Sequence, residues 1–317
     1  MDAYTAQTKL WLNARFRKTS PEGVYLAHQN IYGFKNKYTL DGTILRYVIF
    51  INVVKALSML RFDSLLDVGG AEGYMAAAIR KFFDARTRTC DLSDEACNRA
   101  REIFGLDADP VDGHQLPYPD GAFDVVLSSE SIEHMPDYRQ VVNELLRVAR
   151  RAVIITVPHD GPAAIAANVR NGVTHGHLHD FTLDSLRDIV PPEYRIIRWG
   201  LWTKFFRLPY RLVEGSPIDY SSRRGVMRLV VRGLNPLVAV TGRVLGRRAF
   251  KALLALDGFL SNWVRAYRQL VFVVVKDPGC IRPGHETRVT IDAILDFSVP
   301  PNHLDGAASA AHSVTAG

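Results

Sequence analysis

Ser64-Leu65-Leu66-Asp67-Val68-Gly69-Gly70-Ala71-Glu72-Gly73-Tyr74-Met75-Ala76-Ala77-Ala78-Ile79 is the stretch around which the remainder of the chain takes its order. A short apolar run closes on Asp67, glycines follow, and an alanine-rich segment of good helix formers begins, so the stretch reads as strand, tight loop, helix. Gly69 and Gly73 open backbone angles closed to other residues and let a ligand approach the main chain, while unpaired amide hydrogens at the helix start face it. The loop is a cradle for a small polar ligand.

A dinucleotide fingerprint needs Gly-x-Gly-x-x-Gly, and here Ala71 and Tyr74 stand at its second and third glycine positions, so that fingerprint fails twice. About 20 residues downstream, the distance at which an acid meets a ribose in such folds, lies Thr89-Cys90-Asp91-Leu92-Ser93. A longer block runs Val111-Asp112-Gly113-His114-Gln115-Leu116-Pro117-Tyr118-Pro119-Asp120-Gly121-Ala122-Phe123-Asp124-Val125-Val126-Leu127-Ser128, and Ser129-Glu130-Ser131-Ile132-Glu133-His134-Met135 follows it. Any one of Asp67, Asp91 or Asp112 alone is more often a turn or cap residue than a ligand. At three successive strand ends of an open parallel sheet, however, three acids converge on one crevice.

Together these segments resemble the class I S-adenosylmethionine-dependent methyltransferases, and the long block resembles the signature of the type 11 family over roughly residues 60 to 200. Asp67, Gly69 and Gly73 fall in register with the first motif, from which Ala71 departs by one methyl group that the loop is expected to tolerate. The resemblance implies a Rossmann-like, mostly parallel seven-stranded sheet with helices on both faces, and S-adenosylmethionine as cofactor. It assigns the ribose hydroxyls to Asp91, the adenine amine to Asp112, supporting contacts to Leu92 and Gly113, and a place near the methyl end to Ser128. Glu133 and His134 match the family's Glu-His segment.

Bulk composition agrees with a globular chain. At 317 residues, 47% hydrophobic and 23% charged, it can bury one large core or two modest ones and does not read as disordered. Cys90, Cys97 and Cys280 show neither paired metal spacing nor a disulfide framework, which suits a reducing cytosol. No secretory leader is evident, because Asn13 and Arg15 interrupt Leu10 to Phe16, and no apolar run reaches the length of a membrane span. The expected location is the cytoplasm, with peripheral contact to a membrane.

Five regions follow. Residues 1–60 read as a helical lid over the crevice, with a largely apolar helix from Thr43 to Leu60 and Tyr25, His28 and Tyr32 as substrate-touching candidates or packing aromatics. Residues 61–203 form the cofactor-binding core. Its strands are expected at Ser64 to Val68, Thr87 to Asp91, Ala108 to Asp112, Phe123 to Leu127, Val153 to Val157 and Tyr194 to Trp199. Helices are expected at Gly73 to Phe82, Asp94 to Ile103, Tyr138 to Ala149, and Leu183 to Ile189 behind a Thr182 cap. Residues 204–267 are an insert, 268–280 the last strand (Leu270 to Lys276), and 281–317 a loose tail.

His175-Gly176-His177-Leu178-His179-Asp180-Phe181 follows the fifth strand. Alternating histidines suit a metal, but no His-Glu-x-x-His or Cys-x-x-Cys pattern supports one, so none is expected. A general base is the second reading, because imidazole titrates near neutrality and can take a proton from an attacking hydroxyl. His177 is the first candidate, within a His-Leu-x-x-Phe element that the family often has, and His159 and His134 stand behind it.

The insert is strongly basic. From Lys204 to Lys251 there are eleven Lys or Arg against two Asp or Glu, a balance of +9 in a chain of net +6. Arg224, Arg228 and Arg232, then Arg243, Arg247 and Lys251, recur at four-residue spacing, where like charges repel along a helix. Such a ridge suggests either an external anion, a membrane surface or a lipid phosphate met through residues 204–251, or a solvated face over a helical cap. Nucleic acid ranks lower, because the interleaved residues are aliphatic and not base-stacking aromatics. The expected activity is methyl transfer to a small-molecule, saccharide or lipid-linked acceptor at oxygen. A non-catalytic cofactor-binding module at a membrane and a nicotinamide-dependent oxidoreductase are the alternatives.

Overall fold

A computed structural model describes residues 2–40, 43–201, 207–215, 225–261, 263–264, 267–284, 287 and 289–299. Seven strands make one sheet: β1 (Ser64–Val68), β2 (Arg86–Asp91), β3 (Asp107–Pro110), β4 (Phe123–Ser129), β5 (Ala149–Pro158), β6 (Arg195–Leu201) and β7 (Gln269–Val275). They lie in the order β3-β2-β1-β4-β5-β7-β6, all parallel except β7, which runs antiparallel between β5 and β6. Side chains alternate across the sheet, so Leu65 and Val273 enter the core on one face while Leu66, Phe272 and Val274 enter the core on the other. The order reverses between β1 and β4, and that switch point opens a crevice at the carboxyl ends of the strands.

Helices α3 (Tyr74–Phe83), α4 (Asp94–Phe104) and α5 (Tyr138–Val148) are the crossovers. Each starts where the sequence supplies a start: Gly73 turns into α3 at φ +79°, Ser93 caps α4 through the Ala96 amide, and Asp137 caps α5 through the Gln140 amide. The Leu-Pro-Tyr part of the long block is a loop clamped by Arg147, which donates to the Leu116 and Tyr118 carbonyls while Glu144 accepts from the Leu116 amide. Asp124 of the same block is structural. Buried, it accepts from the Asp63 amide and ion-pairs with Arg150 and Arg151, tying β4 to the starts of β1 and β5.

Before the sheet, α1 (Ala3–Phe16) is capped by Asp2, and α2 (Thr43–Ser58) is buried on nearly every side because β5 and β7 lie under it and other helices cover it. Between β6 and β7 come α7 (Arg207–Glu214), α8 (Val226–Val244) and α9 (Arg247–Ser261), after the short α6 (Pro162–Arg170) in the loop behind β5. A last helix, α10 (Ile291–Asp296), lies within the stretch expected to be loose. Its Ile294 and Leu295 are buried, and Phe297 beyond it sits among Tyr74, Phe82 and Phe104.

Two expectations are corrected and one pair of alternatives is resolved. Leu183 to Ile189 is a run of turns in place of a helix: the Ser185, Arg187 and Ile189 amides donate three residues back, and Pro191 blocks continuation. Arg247 and Lys251 are not unpaired, since they pair with Asp296 and Asp292 of α10. Tyr25 and Tyr32 take the packing alternative as core residues, the Tyr32 hydroxyl donating to the Tyr25 carbonyl at 2.9 Å. Arg224 and residues 300–317 lie outside the described residues.

Candidate active site

The loop after β1 is shaped by close approaches. Gly69 has φ +74°, and a Cβ there would stand 2.0 Å from the Ser131 hydroxyl. At Gly70 a Cβ would meet Thr89 Oγ1 at 2.1 Å and Asp67 Oδ2 at 2.7 Å, so the Asp67 carboxyl lies directly behind the loop. Ala71 follows in the left-handed region at φ +50°, where the side chain strains the backbone. Its amide donates to Asp91 Oδ2 at 3.0 Å, and the Ser93 amide donates to Asp91 Oδ1 at 2.9 Å. Asp91 thus pins the cradle loop to the start of α4.

Burial sets the charge of both acids. It lifts Asp67 to about 7, with the Asp91 carboxylate as a second contribution. Burial also lifts Asp91, to about 6, against the amides that bond to it. Among the residues assigned to the cofactor, Gly69, Asp91, Leu92, Asp112 and Gly113 line one cleft together with Tyr4, Thr5, Thr8 and Leu12 of α1. Asp112 holds His114 through its amide and its ring. Asp67 and Gly73 stand behind that lining; Ser128 is fully buried and lines neither this cleft nor the next cavity. Glu130, two residues on, lines both.

A second cavity of about 490 Å³ adjoins the cleft, sharing His28, Glu130, His134 and His175 with it. It also takes Arg15 and Trp11 from α1, Arg46 from α2, Arg211 from α7, and Asp160, His177 and Arg268 from the loops around β5 and β7. Four aromatic rings organise its wall. Trp11 stacks on His175 at 4.9 Å, His175 on His134 at 3.8 Å, and His177 meets His134 edge-on at 4.8 Å. Burial holds the His28 and His134 imidazoles well below their ordinary range, and holds His175 at about 4. Glu130 is lifted to about 7 by burial and bonds to Thr156 and Gln269. Asp160 is held low by its hydrogen bond to His177 Nδ1.

Of the three candidate bases, His177 and His134 line this cavity and His159 does not. His159 Nδ1 bonds to the Phe181 carbonyl at 2.7 Å, and His179 turns away to the Met135 carbonyl at 2.8 Å. Of the lid candidates, His28 lines both cavities, bonded to Arg15. The contribution of α1 is not legible in advance, because Ala3–Phe16 carries no motif and only a faint apolar face.

The architecture is that of a Rossmann-like α/β protein with its cradle at the switch point of the sheet. Residues 66–157 match the type 11 methyltransferase domain model, and the chain carries a domain of the class I S-adenosylmethionine-dependent methyltransferases. Ajmaline N-methyltransferase of Rauvolfia serpentina is 29% identical over 142 residues, covering 43% of this chain and 43% of its own. The 27-O-demethylrifamycin SV methyltransferase of Amycolatopsis mediterranei is 35% identical over 95 residues, covering 28% of this chain and 35% of its own. The chain therefore spans less than half the length of these relatives, and their named acceptors differ. A solved geranyl diphosphate C-methyltransferase from Streptomyces coelicolor A3(2) superposes with TM-score 0.49 at 15% identity, covering 87% of this chain and 99% of its own.

Proposed function

We propose that the protein transfers the methyl group of S-adenosylmethionine to an acceptor hydroxyl held in the second cavity. The observation that carries this reading is the junction of the two cavities at Glu130, His134 and His175. The sulfonium methyl is already activated, so the protein's work is to bring a nucleophile into line with it and keep water out. On this reading Asp91 holds the ribose, Asp112 the adenine end, and Gly69 lets the cofactor lie against the main chain. The second cavity is walled by charged and imidazole groups and by Ile44, Leu45, Val48 and Ile49 of α2, which fits an acceptor with both polar and apolar parts, and its arginines fit one carrying a phosphoryl or carboxylate group. Asp160 bonds to Nδ1 of His177 and so leaves Nε2 as the nitrogen available to the acceptor side.

A lipid-linked acceptor is favoured by one further feature. Helix α8 packs on α7, which lines the acceptor cavity, and α8 exposes Val226, Leu229, Leu237, Val240 and Val244 beside Arg228, Arg232 and Arg243. Attachment of that face to an anionic membrane, on its cytoplasmic side, would bring the cavity to its substrate.

Calorimetric titration with S-adenosylmethionine, S-adenosylhomocysteine and NADH tests the reading. Binding of the two sulfur nucleosides and not NADH is expected, and Asp91→Ala should weaken it by roughly 1.5 to 3 kcal/mol, as for hydrogen bonds to a charged group. Binding of NADH alone, or of none of the three, would refute it.

A further inference from the structure

The wall between the two cavities holds Glu133 beside His134 and His177, two histidines the methyl-transfer reading uses singly, and their joint arrangement allows a second role in which His177 Nε2 is a ligand and not a base. A carboxylate oxygen of Glu133 and one ring nitrogen each of His134 and His177 lie within 4.8 Å of one another. Both histidines already have Nδ1 engaged, His134 with the Gly176 carbonyl at 3.2 Å and His177 with the Asp160 carboxylate. That leaves Nε2 of each to face its neighbours, and Nε2 of His134 stands 3.9 Å from Glu133 Oε1. Orienting an imidazole by a carboxylate or a backbone carbonyl on its second nitrogen is what metal-ligating histidines nearly always show.

Glu133 supplies the independent observation. Its side chain is 1% exposed, and Oε2 has no hydrogen-bond partner among the described residues. A buried carboxylate oxygen left bare costs on the order of 1 to 3 kcal/mol or more, so its retention needs a reason. Oε2 of Glu133 finds no partner on the 3-10 turn Ile132–His134 that carries it.

We infer that Glu133, His134 and His177 form a binding site for one divalent first-row transition-metal ion, of the Zn2+ or Co2+ type, with Asp160 as the carboxylate that orients His177. Two imidazoles and one carboxylate are a ligand set such ions accept, and they leave one or more positions open to water or substrate. Ligand atoms around an ion with bonds of about 2.1 Å lie roughly 3.4 Å apart in a tetrahedron. The separations, up to 4.8 Å, would have to shorten by about 1.4 Å through side-chain rotation on binding. The open position faces the acceptor cavity, which His134, His177 and Glu133 all line.

The consequence for chemistry rests on the methyl-transfer reading. An ion held by Glu133, His134 and His177 would supply Lewis acidity, lowering the pKa of an acceptor hydroxyl beside it. Methyl transfer would then form the C–O bond as the C–S bond of the sulfonium breaks, with the hydroxyl proton passing to bulk solvent and sulfur leaving as the neutral thioether that keeps the electron pair. The ligands come from segments some forty residues apart in the chain, so no local spacing motif announces them.

The test is direct metal binding by the full chain, stripped with chelator and titrated with Co2+ and then Zn2+ while visible absorption and calorimetry are followed. One equivalent of Co2+ should bind with a ligand-field band that Zn2+ displaces. Glu133→Gln, nearly isosteric, and His134→Ala should abolish the band, and Asp160→Asn should weaken affinity by about 10- to 100-fold. Circular dichroism and the melting midpoint of each variant report whether the fold survives; His177→Ala replaces any variant that fails this check. Absence of a stoichiometric band, or binding unchanged across the folded variants, would overturn the site. Because no methyl transfer is measured, that failure is distinct from failure of the cofactor titration.

Discussion

Asp67 and Asp91 stand under the cradle loop as buried carboxyls whose proton affinity rises on folding, from the ordinary 3.8 to about 7 and about 6. The folded chain then holds more protons than the unfolded chain between roughly pH 4 and 7, so stability falls as pH rises through that window. Asp67→Asn removes the larger share of this slope, because an amide fills the space without a charge to bury. The variant without ligand should melt a few degrees higher than the parent at pH 8, about what 1 kcal/mol moves the midpoint of a protein this size. Its melting curve from pH 4 to 7 should also be flatter, and equal slopes in parent and variant would sink the assignment. Ala71 offers a second residue-scale test. Its φ of +50° costs an L residue roughly 1 to 2 kcal/mol, against which glycine loses about 0.4 to 1 kcal/mol through the freer unfolded chain. Ala71→Gly should therefore leave cofactor binding intact and raise stability by up to about 1 kcal/mol in denaturant titration. A destabilised variant would show the loop to be relaxed as it stands.

The strands and crossover helices were legible because each carries its own start, stop and apolar rhythm; β1 begins and ends where the reading of Ser64 to Val68 puts it. Asp91 and Asp112 of the crevice were legible for a related reason, since a parallel sheet sends successive strand ends to one edge, whereas Asp67, expected beside them, stands behind the loop. Elements that depend on distant partners were not. Leu183 to Ile189 has helical spacing, but Thr182 and Ser185 hydroxyls bond to nearby backbone amides and favour turns there. Helix α10 has only six residues and no intrinsic stability; what fixes it is Phe297 among three aromatic rings and the Val299 amide donating to Ile31 at 2.7 Å. Phe297→Ala should accordingly cost about 2 to 3 kcal/mol, the lower end for a large aromatic because it is only half-buried. Asp292→Asn, which removes an exposed pair with Lys251, should cost under about 1 kcal/mol. Similar losses in the two variants would mean that charge and not packing holds the segment.

At the scale of the molecule, the question is why a chain with +9 between residues 204 and 251 leaves apolar side chains in water on the same helix. Helix α9 pairs Arg247 and Lys251 with Asp296 and Asp292 of α10 and buries Phe250. Helix α8 does not: Arg228, Arg232 and Arg243 are exposed without an ion-pair partner among the described residues, and Val226 and Val244 are each more than three-quarters exposed. No single helix among the described residues is long and apolar enough to cross a bilayer, and α8 meets α9 at 107°. A basic helix with an apolar side suits a position in the plane of the headgroups, where each arginine near an anionic surface is worth about 1 kcal/mol. Replacing Arg228, Arg232 and Arg243 together by Gln should then reduce partitioning onto vesicles rich in phosphatidylserine by roughly 3 kcal/mol, about a hundredfold. Cosedimentation at low and high salt reads this out. The parent should lose binding as salt screens the surface, and neutral phosphatidylcholine vesicles should recover little of either protein. Equal, salt-insensitive recovery of parent and triple variant would leave the apolar face to another partner and remove the main support for a lipid-linked acceptor, while the assignment of the cofactor cleft would stand untouched.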